Sequence, residues 1–412
     1  MNKNIKLAVA GAVLALSASA NAGIIIPAGE WTIDINGNVN AFAAWNKSDH
    51  NNTITAGIAT TKDASGEKNT QGITTGLLPS WLGVTGKTRQ NDLDVEFTIS
   101  LQPGVSDNHV HGDLTQPVLN RQTYVSFGDK SWGSVKLGKD LGIFASDAIL
   151  NDMTLLGVGG IANGGQYVGS ATAVNSTIGG IGSGYIYAAW KGQIAYTTPN
   201  FNGFQATVGI TNPNQGIDNT GTSGATTTLY QDRHGLEGKA SYSFAGDAFS
   251  GKIWVGGASY KVKSGLVTAT STYPETTSSV ADIGANVNAG NFGLTGYYYT
   301  GEGVGTTAMF LSSHDTAGNK RDSDGGYLQG TYVLPTKTKI GLAYGKSNLD
   351  LTAAETAGSA IVSHNKRFTA GAYHPLTKHL NLVAEWSDIE SEAHSGLKNE
   401  NTTISTGAIL FF

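Results

Sequence analysis

The side chains that could do chemistry in this chain are scattered. Residues 321–326 (RDSDGG) have the carboxylate spacing of a calcium loop but lack the distant glutamate of an EF-hand, so we expect a solvated outer loop there. His364, His374 and His379 make no i, i+4 metal pair. No Gly-x-Gly fragment stands between a strand and a helix, and no serine lies in a nucleophile elbow. We therefore expect no metal, no cofactor and no enzyme activity.

Other polar side chains alternate with apolar ones, as on the two faces of a β-strand. In residues 93–102 every odd-numbered residue is apolar and every even-numbered residue is polar. The same alternation places Trp81 and Lys87 on a polar face, opposite Leu82, and places Lys136 on another. Helical periodicity is almost nowhere visible, so the pattern predicts an all-β chain.

The length of these strands favours a membrane setting. About ten residues suffice for a tilted strand to cross a bilayer, whereas strands of soluble proteins average about five or six. Backbone groups in hydrocarbon must be paired within the protein, so the sheet must close. We expect the last strand, 402–412, to pair with the first, 31–45. Aromatic residues near strand ends predict interfacial girdles: Trp31, Trp45, Tyr185, Tyr187, Tyr196, Tyr297, Tyr299, Phe411 and Phe412.

The connections between strands alternate in length. Seven short turns and eight long polar connections, fifteen in all, give sixteen strands. This is the layout of a closed antiparallel transmembrane β-barrel with short periplasmic turns and long extracellular loops. The long connections are 47–72, 104–117, 141–184, 213–228, 264–277, 304–324, 348–365 and 389–400.

The start of the chain predicts export. Lys3 and Lys6 precede an apolar run of about ten residues, and residues 20–22 (ANA) have the small-x-small pattern of a cleavage site. We expect 1–22 to be a signal peptide and 23–412 to form one barrel domain. Without Lys3 and Lys6 the chain has 24 basic and 31 acidic residues, so nothing favours nucleic-acid binding. The chain has no cysteine, so it cannot depend on disulfides.

Three stretches resemble one known family: residues 121–139, residues 194–204, and the C-terminal part with 373–380 and 404–412. They resemble the general porins of Gram-negative bacteria, which are sixteen-stranded trimers. The resemblance implies a water-filled outer-membrane channel for ions and small hydrophilic solutes. It also implies a homotrimer surrounded by outer-membrane lipid, with Phe412 recognised by the barrel-insertion machinery.

The resemblance also implies where such a channel would be narrowest. In the family the third loop, here 141–184, folds into the lumen, and its acids face arginines on the wall. Asp152 stands at the family's acidic motif, and Asp147 is the loop's other carboxylate. Arg121 matches a family arginine, whereas the positions of two others and of a second loop acid carry no charge. With the residues placed by alternation, the predicted constriction is Arg121, Asp152, Asp147, Lys136, Lys87 and Trp81.

This residue set predicts a constriction with less charge than is usual in the family, and so weak ion selectivity or a preference for an uncharged solute. We expect 141–156 to pack inside the barrel and the Gly/Ser-rich 157–184 to be mobile. Three alternatives remain open: a substrate-selective channel for a sugar, peptide or carboxylate, a barrel enzyme, and a surface adhesin. Saturable block of the current by one solute would identify the first.

Overall fold

The computed structural model describes residues 23–63, 65–105, 118–161, 176–212, 232–263 and 275–412. The predicted signal peptide, 1–22, lies outside the described residues, as do parts of several long connections. The described residues form eighteen strands, a short helix α1 (Ser146–Leu150) and a 3₁₀ turn (Met153–Leu156). The strands are β1 (Ile24–Ala28), β2 (Trp31–Ser48), β3 (Asn69–Thr74), β4 (Trp81–Gln90), β5 (Leu93–Gln102), β6 (Leu119–Asp129), β7 (Gly133–Leu141), β8 (Trp190–Thr197), β9 (Phe204–Thr211), β10 (Gly235–Ala245), β11 (Phe249–Lys263), β12 (Glu275–Ala289), β13 (Phe292–Glu302), β14 (Asp322–Val333), β15 (Lys339–Leu349), β16 (Val362–Pro375), β17 (Leu380–Ala393) and β18 (Lys398–Phe411).

The strands close into a barrel of sixteen positions. From β4 to β18 each strand pairs antiparallel with the next, and β18 pairs with β2 from Asn401 opposite Ser48 to Phe411 opposite Asn38. β3 and β4 pair with the two halves of β2 and together fill one position. β1 only extends β2 as a short hairpin. The predicted strand number and the pairing of first with last strand are confirmed.

Side chains alternate between a lipid-facing and an inner surface. On β5, Ile99 and Leu101 are exposed on the outside while Thr98 and Ser100 are buried inside. An apolar exterior and a polar interior are what a barrel in lipid requires. No helix among the described residues is long and apolar enough to span a membrane.

The aromatic girdle prediction is wrong for several residues. Trp45 and Tyr196 are exposed on the outer face, but Tyr185, Tyr299 and Phe411 are buried inside the barrel. These inner rings pack with segments of chain that the lumen contains. Strand-end position alone therefore could not distinguish a ring facing lipid from a ring facing the core.

The seven predicted short turns all join consecutive strands, at 90–92, 128–133, 199–203, 245–251, 289–291, 334–338 and 375–378. One predicted long connection is wrong. Instead of 389–400, only residues 394–397 separate β17 from β18. Likewise 322–326 begins β14 rather than forming a solvated loop. In both places outer-face residues such as Glu390 are polar. A strand that extends above the hydrocarbon needs no apolar face, so the alternation used to detect it disappears.

The hydrophobic core lies inside the barrel. Three stretches fold inward, here called inward segment 1 (54–60), inward segment 2 (142–161 and 176–189) and inward segment 3 (303–321). Ile58, Phe144 and Phe310, one from each, share a core cluster with wall residues such as Trp254. The predicted inward fold of the third loop is confirmed, and the other two inward segments were not predicted. Residues 162–175, within the stretch expected to be mobile, lie outside the described residues; 157–160 and 177–184 are buried.

Candidate channel constriction

Inward segment 2 is fixed where it leaves β7. The backbone N–H groups of Ile143 and Phe144 donate to Oε2 of Glu237 on β10, at 2.8 and 2.9 Å. The other carboxylate oxygen accepts from Lys191 Nζ at 2.6 Å and from Thr211 Oγ1 at 3.1 Å. Both members of the Lys191–Glu237 pair are fully buried. The carboxylate is thus fully hydrogen-bonded, as a buried charge must be.

Helix α1 brings Asp147 to two lysines of the barrel wall. Lys239 of β10 donates to Asp147 at 3.0 Å, and Lys252 of β11 donates to its other oxygen. Burial would raise the pKa of the Asp147 carboxyl, but the charges and hydrogen bonds of the two lysines lower it below its usual range. Asp147 is 4% exposed, whereas the lysine side chains are about a quarter exposed. Water in the lumen therefore contacts the lysines more than the aspartate.

Asp152 caps the 3₁₀ turn and ties two parts of inward segment 2 together. Its Oδ1 accepts from the backbone N–H and the hydroxyl of Thr154, at 2.9 and 2.8 Å. Its Oδ2 accepts from Gly180 N at 3.0 Å and from Tyr185 OH at 2.9 Å. Arg367 of β16 lies 3.7 Å from this carboxylate, and Asp152 is 5% exposed. The Asp152 charge is thus buried and compensated.

Further contacts hold inward segment 2 against β14 and β17. Met153 N donates to Gln329 Oε1 at 2.7 Å. Val158 N and Gly159 N donate to Glu385 Oε2 at 2.7 and 2.8 Å. In contrast, Leu150 at the end of α1 is 40% exposed. The segment therefore presents an uncharged side chain to the lumen while its carboxylates are turned to the wall.

The inner surface of β4 to β7 carries paired charges. Lys136 donates to Asp140, and its ammonium lies 4.6 Å from the ring centre of Tyr124. Tyr124 OH donates to Glu96 at 3.2 Å, and Glu96 lies 3.4 Å from Lys87. Each of the two predicted lysines thus has a carboxylate partner on this wall.

The comparisons with known proteins agree with this architecture. The sequence model of the Gram-negative porin family matches residues 7–394. The chain belongs to the Gram-negative porin family. It is an outer-membrane channel for passive diffusion of solutes, and the family and fold are those of non-enzymatic channels. No curated protein matches the sequence.

Several solved structures share the fold. The outer membrane channel DcaP of Acinetobacter baumannii is 16% identical, with 95% of this chain and 100% of that chain covered and a TM-score of 0.69. An anion-selective porin from Comamonas acidovorans is 17% identical, with 93% and 100% covered and a TM-score of 0.60. OmpT of Vibrio cholerae in its trimer form is 15% identical, with 93% and 99% covered and a TM-score of 0.54. At these identities the likeness shows the fold.

The remaining predicted residues of this porin lie apart from one another. Arg121 lies beside a register shift between β5 and β6, and its guanidinium stacks over Trp190 at 6.0 Å. Trp190 lies on the same, outward face of β8 as Ile194. The structure therefore does not bring Arg121 to Asp152; the arginine beside Asp152 is Arg367. Trp81 lies on the inner wall against Phe411, with ring centres 6.3 Å apart.

Sequence reasoning missed the wall residues that hold inward segment 2: Lys191, Glu237, Lys239, Lys252, Arg367 and Glu385. Alternation could have placed Lys239 and Lys252 on the inner surface of the porin, because their outward neighbours are apolar. It could not have named their partner, since Asp147 is 92 residues from Lys239 in the sequence.

Proposed function

We propose that this porin passes ions and small hydrophilic solutes between Leu150 and the inner wall of β4 to β7, and that it catalyses no reaction. One observation carries this proposal. The inward segments pack against β2 and β10 to β18, while Lys87 and Lys136 on the opposite wall keep 58% and 34% of their side chains exposed. Barrels of this strand number enclose a lumen wide enough for water.

We propose that ion selectivity at the middle of the barrel is weak. The lysines of the β4–β7 wall face carboxylates of the same wall, and Leu150 and Asn151 on the opposite side carry no charge. Selectivity in a channel depends on pore size and on the fixed charges at its narrowest point. Solute size is therefore the main filter proposed for this region.

The test is the reversal potential of the refolded porin in a planar bilayer under a salt gradient. Lys136→Gln leaves Asp140 without its cation, so we expect the reversal potential to move toward cation preference. The matched control is Lys139→Gln on the same strand, because Lys139 is exposed on the outer face. Equal shifts for both variants, or no conductance from a correctly folded barrel, would contradict the proposed route.

We propose that three copies assemble and that Phe412 is recognised during insertion. The OmpT structure named above is described as a trimer form. The outer face of β2 carries the small residues Ala41 and Ala43, which leave room for close contact with another copy. Phe412 pairs with Gly37 through two backbone hydrogen bonds of 2.8 and 3.0 Å. Conductance steps in threes test the trimer, and membrane yield of a chain lacking Phe412 tests insertion.

We also propose that residues 1–22 are removed on export, leaving 23–412 as the mature barrel. The basic start, apolar run and ANA pattern support this cleavage. Mass spectrometry of the protein from outer membranes is the measurement, and we expect an N-terminal Gly23.

A substrate-selective channel is the second candidate, and one observation favours it. Three inward segments occupy the lumen, and a cavity lined by asparagine, lysine and leucine side chains lies beneath inward segment 2. Saturable current block by a single solute class distinguishes this candidate from an unselective pore.

A further inference from the structure

A cavity of about 400 Å³ lies between inward segment 2 and the turn end of the barrel. Its roof is the underside of inward segment 2 from Leu150 to Leu156, and its walls are the turn-proximal ends of β12 to β18. Its volume is within the usual range for sites of small molecules. A solute that has passed the inward segment reaches this cavity before the periplasm.

Three lysines converge on this cavity from three chain positions. Lys339 begins β15, and its ammonium lies 5.3 Å from the ring centre of Tyr373. Lys337 and Lys378 line the cavity from the β14–β15 and β16–β17 turns. None of the three is in an ion pair within the part of the chain that the structure describes. The lysines of the β4–β7 wall, in contrast, each face a carboxylate.

The only acidic side chain lining the cavity, within the described residues, is Asp152. Its two oxygens already accept hydrogen bonds from Thr154, Gly180 and Tyr185 and lie beside Arg367. Lys339 is half-buried in this concave, partly apolar space, and Lys337 and Lys378 are exposed residues of its lining. Cations without a local counter-charge beside such a space attract an anion more strongly than the same charges on an open surface.

The rest of the lining matches hydroxyl groups. Asn286, Asn288, Asn291 and Asn381 face the cavity, and each amide can both donate and accept. Asn288 donates to Asn286, which donates to Thr295, so the first two are held in place. Leucines of inward segment 2 add an apolar surface to which carbon atoms can pack.

We propose that this cavity is a binding site for a small organic anion that carries several hydroxyl groups, such as a sugar acid. The lysines bind the carboxylate and the asparagines bind the hydroxyls. The inference deepens the proposed channel function and rests on it, because the anion reaches the site through the lumen. It predicts a solute preference that the paired charges of the β4–β7 wall do not supply.

The test uses the refolded full-length porin in a planar bilayer, with gluconate added on the turn side and block of the chloride current measured. The variant is the triple substitution Lys337→Gln, Lys339→Gln and Lys378→Gln. The matched control is Lys346→Gln, which lies on the outer face of β15. Sorbitol has the hydroxyls without the charge, and acetate has the charge without the hydroxyls.

We expect saturable block by gluconate, block by acetate at least 5-fold weaker, and none by sorbitol. The triple variant should need at least 10-fold more gluconate for half-block, and Lys346→Gln should match the wild type. If gluconate blocks the triple variant and the wild type equally, the proposed site is wrong. If acetate and gluconate block the wild type equally, the proposed role of the asparagines is wrong. If the folded protein does not conduct, the proposed channel fails by itself. Calorimetric titration of gluconate into the detergent-solubilised protein then decides the site, with heat expected from the wild type and none from the triple variant.

Discussion

Individual buried charges in this porin act as attachment points between the lumen and the wall. Asp152 with Arg367 and Glu355 with Arg321 each join an inward segment to a strand or to another loop. Glu237 pairs with Lys191 of the wall and accepts hydrogen bonds from the start of inward segment 2. Taking such charges out of water is unfavourable unless every partner is present. Removal of one partner should therefore be much more damaging than removal of both.

Glu237→Gln should lower the free energy of unfolding by about 3–5 kcal/mol, because it leaves the buried Lys191 ammonium without its counter-charge. The measurement is urea unfolding in lipid vesicles followed by tryptophan fluorescence. Lys87→Gln is the control, since its pair with Glu96 is largely exposed and should contribute about 0–1 kcal/mol. An effect of Glu237→Gln as small as that of the control would contradict a buried pair.

Asp147→Asn should shift the reversal potential toward anion preference. Lys239 and Lys252, each partly exposed to the lumen, would lose the carboxylate that compensates them. The measurement is the zero-current potential under a salt gradient. Asp324→Asn removes the same charge from the outer face and should leave the potential unchanged. A shift of the reversal potential toward cation preference in Asp147→Asn would contradict this prediction.

The inner positions of Lys87 and Lys136 could be predicted, because strand alternation alone decides which surface a side chain faces. The partner of Asp152 could not. The pairing register shifts between Ser100 and Gln102, so simple alternation does not predict which residues Arg121 contacts. The residue that does pair with Asp152 is Arg367, on a strand more than two hundred residues later. Only the closed barrel defines which residues meet across its lumen.

At the scale of elements, the barrel strands were predicted well and the inward segments only in part. Inward segment 3 contains Val304, Met309 and Phe310, which are fully buried against the wall. Such apolar residues in a supposed outer loop were a signal of inward packing. The ends of β17 and β14 were missed because their outer faces above the hydrocarbon are polar, at Asp388 and Glu390 on β17 and at Asp322 and Asp324 on β14.

Inward segment 3 should detach from the wall in acid. Its His314 is fully buried, with Oγ of Ser313 2.8 Å from one ring nitrogen and Oγ1 of Thr276 3.2 Å from the other. Burial, and then the nearby charge of Arg321, lower the pKa of His314 from 6.5 to about 4. Packing thus favours the neutral form of His314. The stabilisation that this gives to the packed state of inward segment 3 is complete above pH 6.5 and is lost as the pH falls toward 4. The linkage amounts to about 3 kcal/mol.

The measurement is amide hydrogen exchange of residues 304–321 by mass spectrometry between pH 7.5 and 4.5, corrected for intrinsic exchange. His314→Gln keeps hydrogen-bonding groups but does not titrate, and should remove the added exchange at low pH. The same acid-dependent exchange in this variant would show that another group controls the segment.

The whole molecule reverses the usual arrangement of a soluble domain, with apolar side chains on the outer surface and polar ones at most inner strand positions. Leu342→Arg places a charge at the middle of the lipid-facing surface, where Leu342 is 57% exposed. It should cost about 2–4 kcal/mol of folding free energy. Asn348→Arg, on the same face at the outer rim and beside Asp324, should cost less than about 1 kcal/mol. Unfolding in lipid vesicles compares the two, and equal costs would contradict the assigned depth of β15.

The pairing of β18 with β2 has a consequence for synthesis. The residues it joins, such as Phe411 and Asn38, are separated by almost the entire barrel sequence. If translation stops early, or a protease removes the last strand, the remaining sheet has two unpaired edges and an apolar outer surface that is unfavourable in water. The barrel can close only when β18 is present, so an incompletely translated chain cannot reach the closed fold.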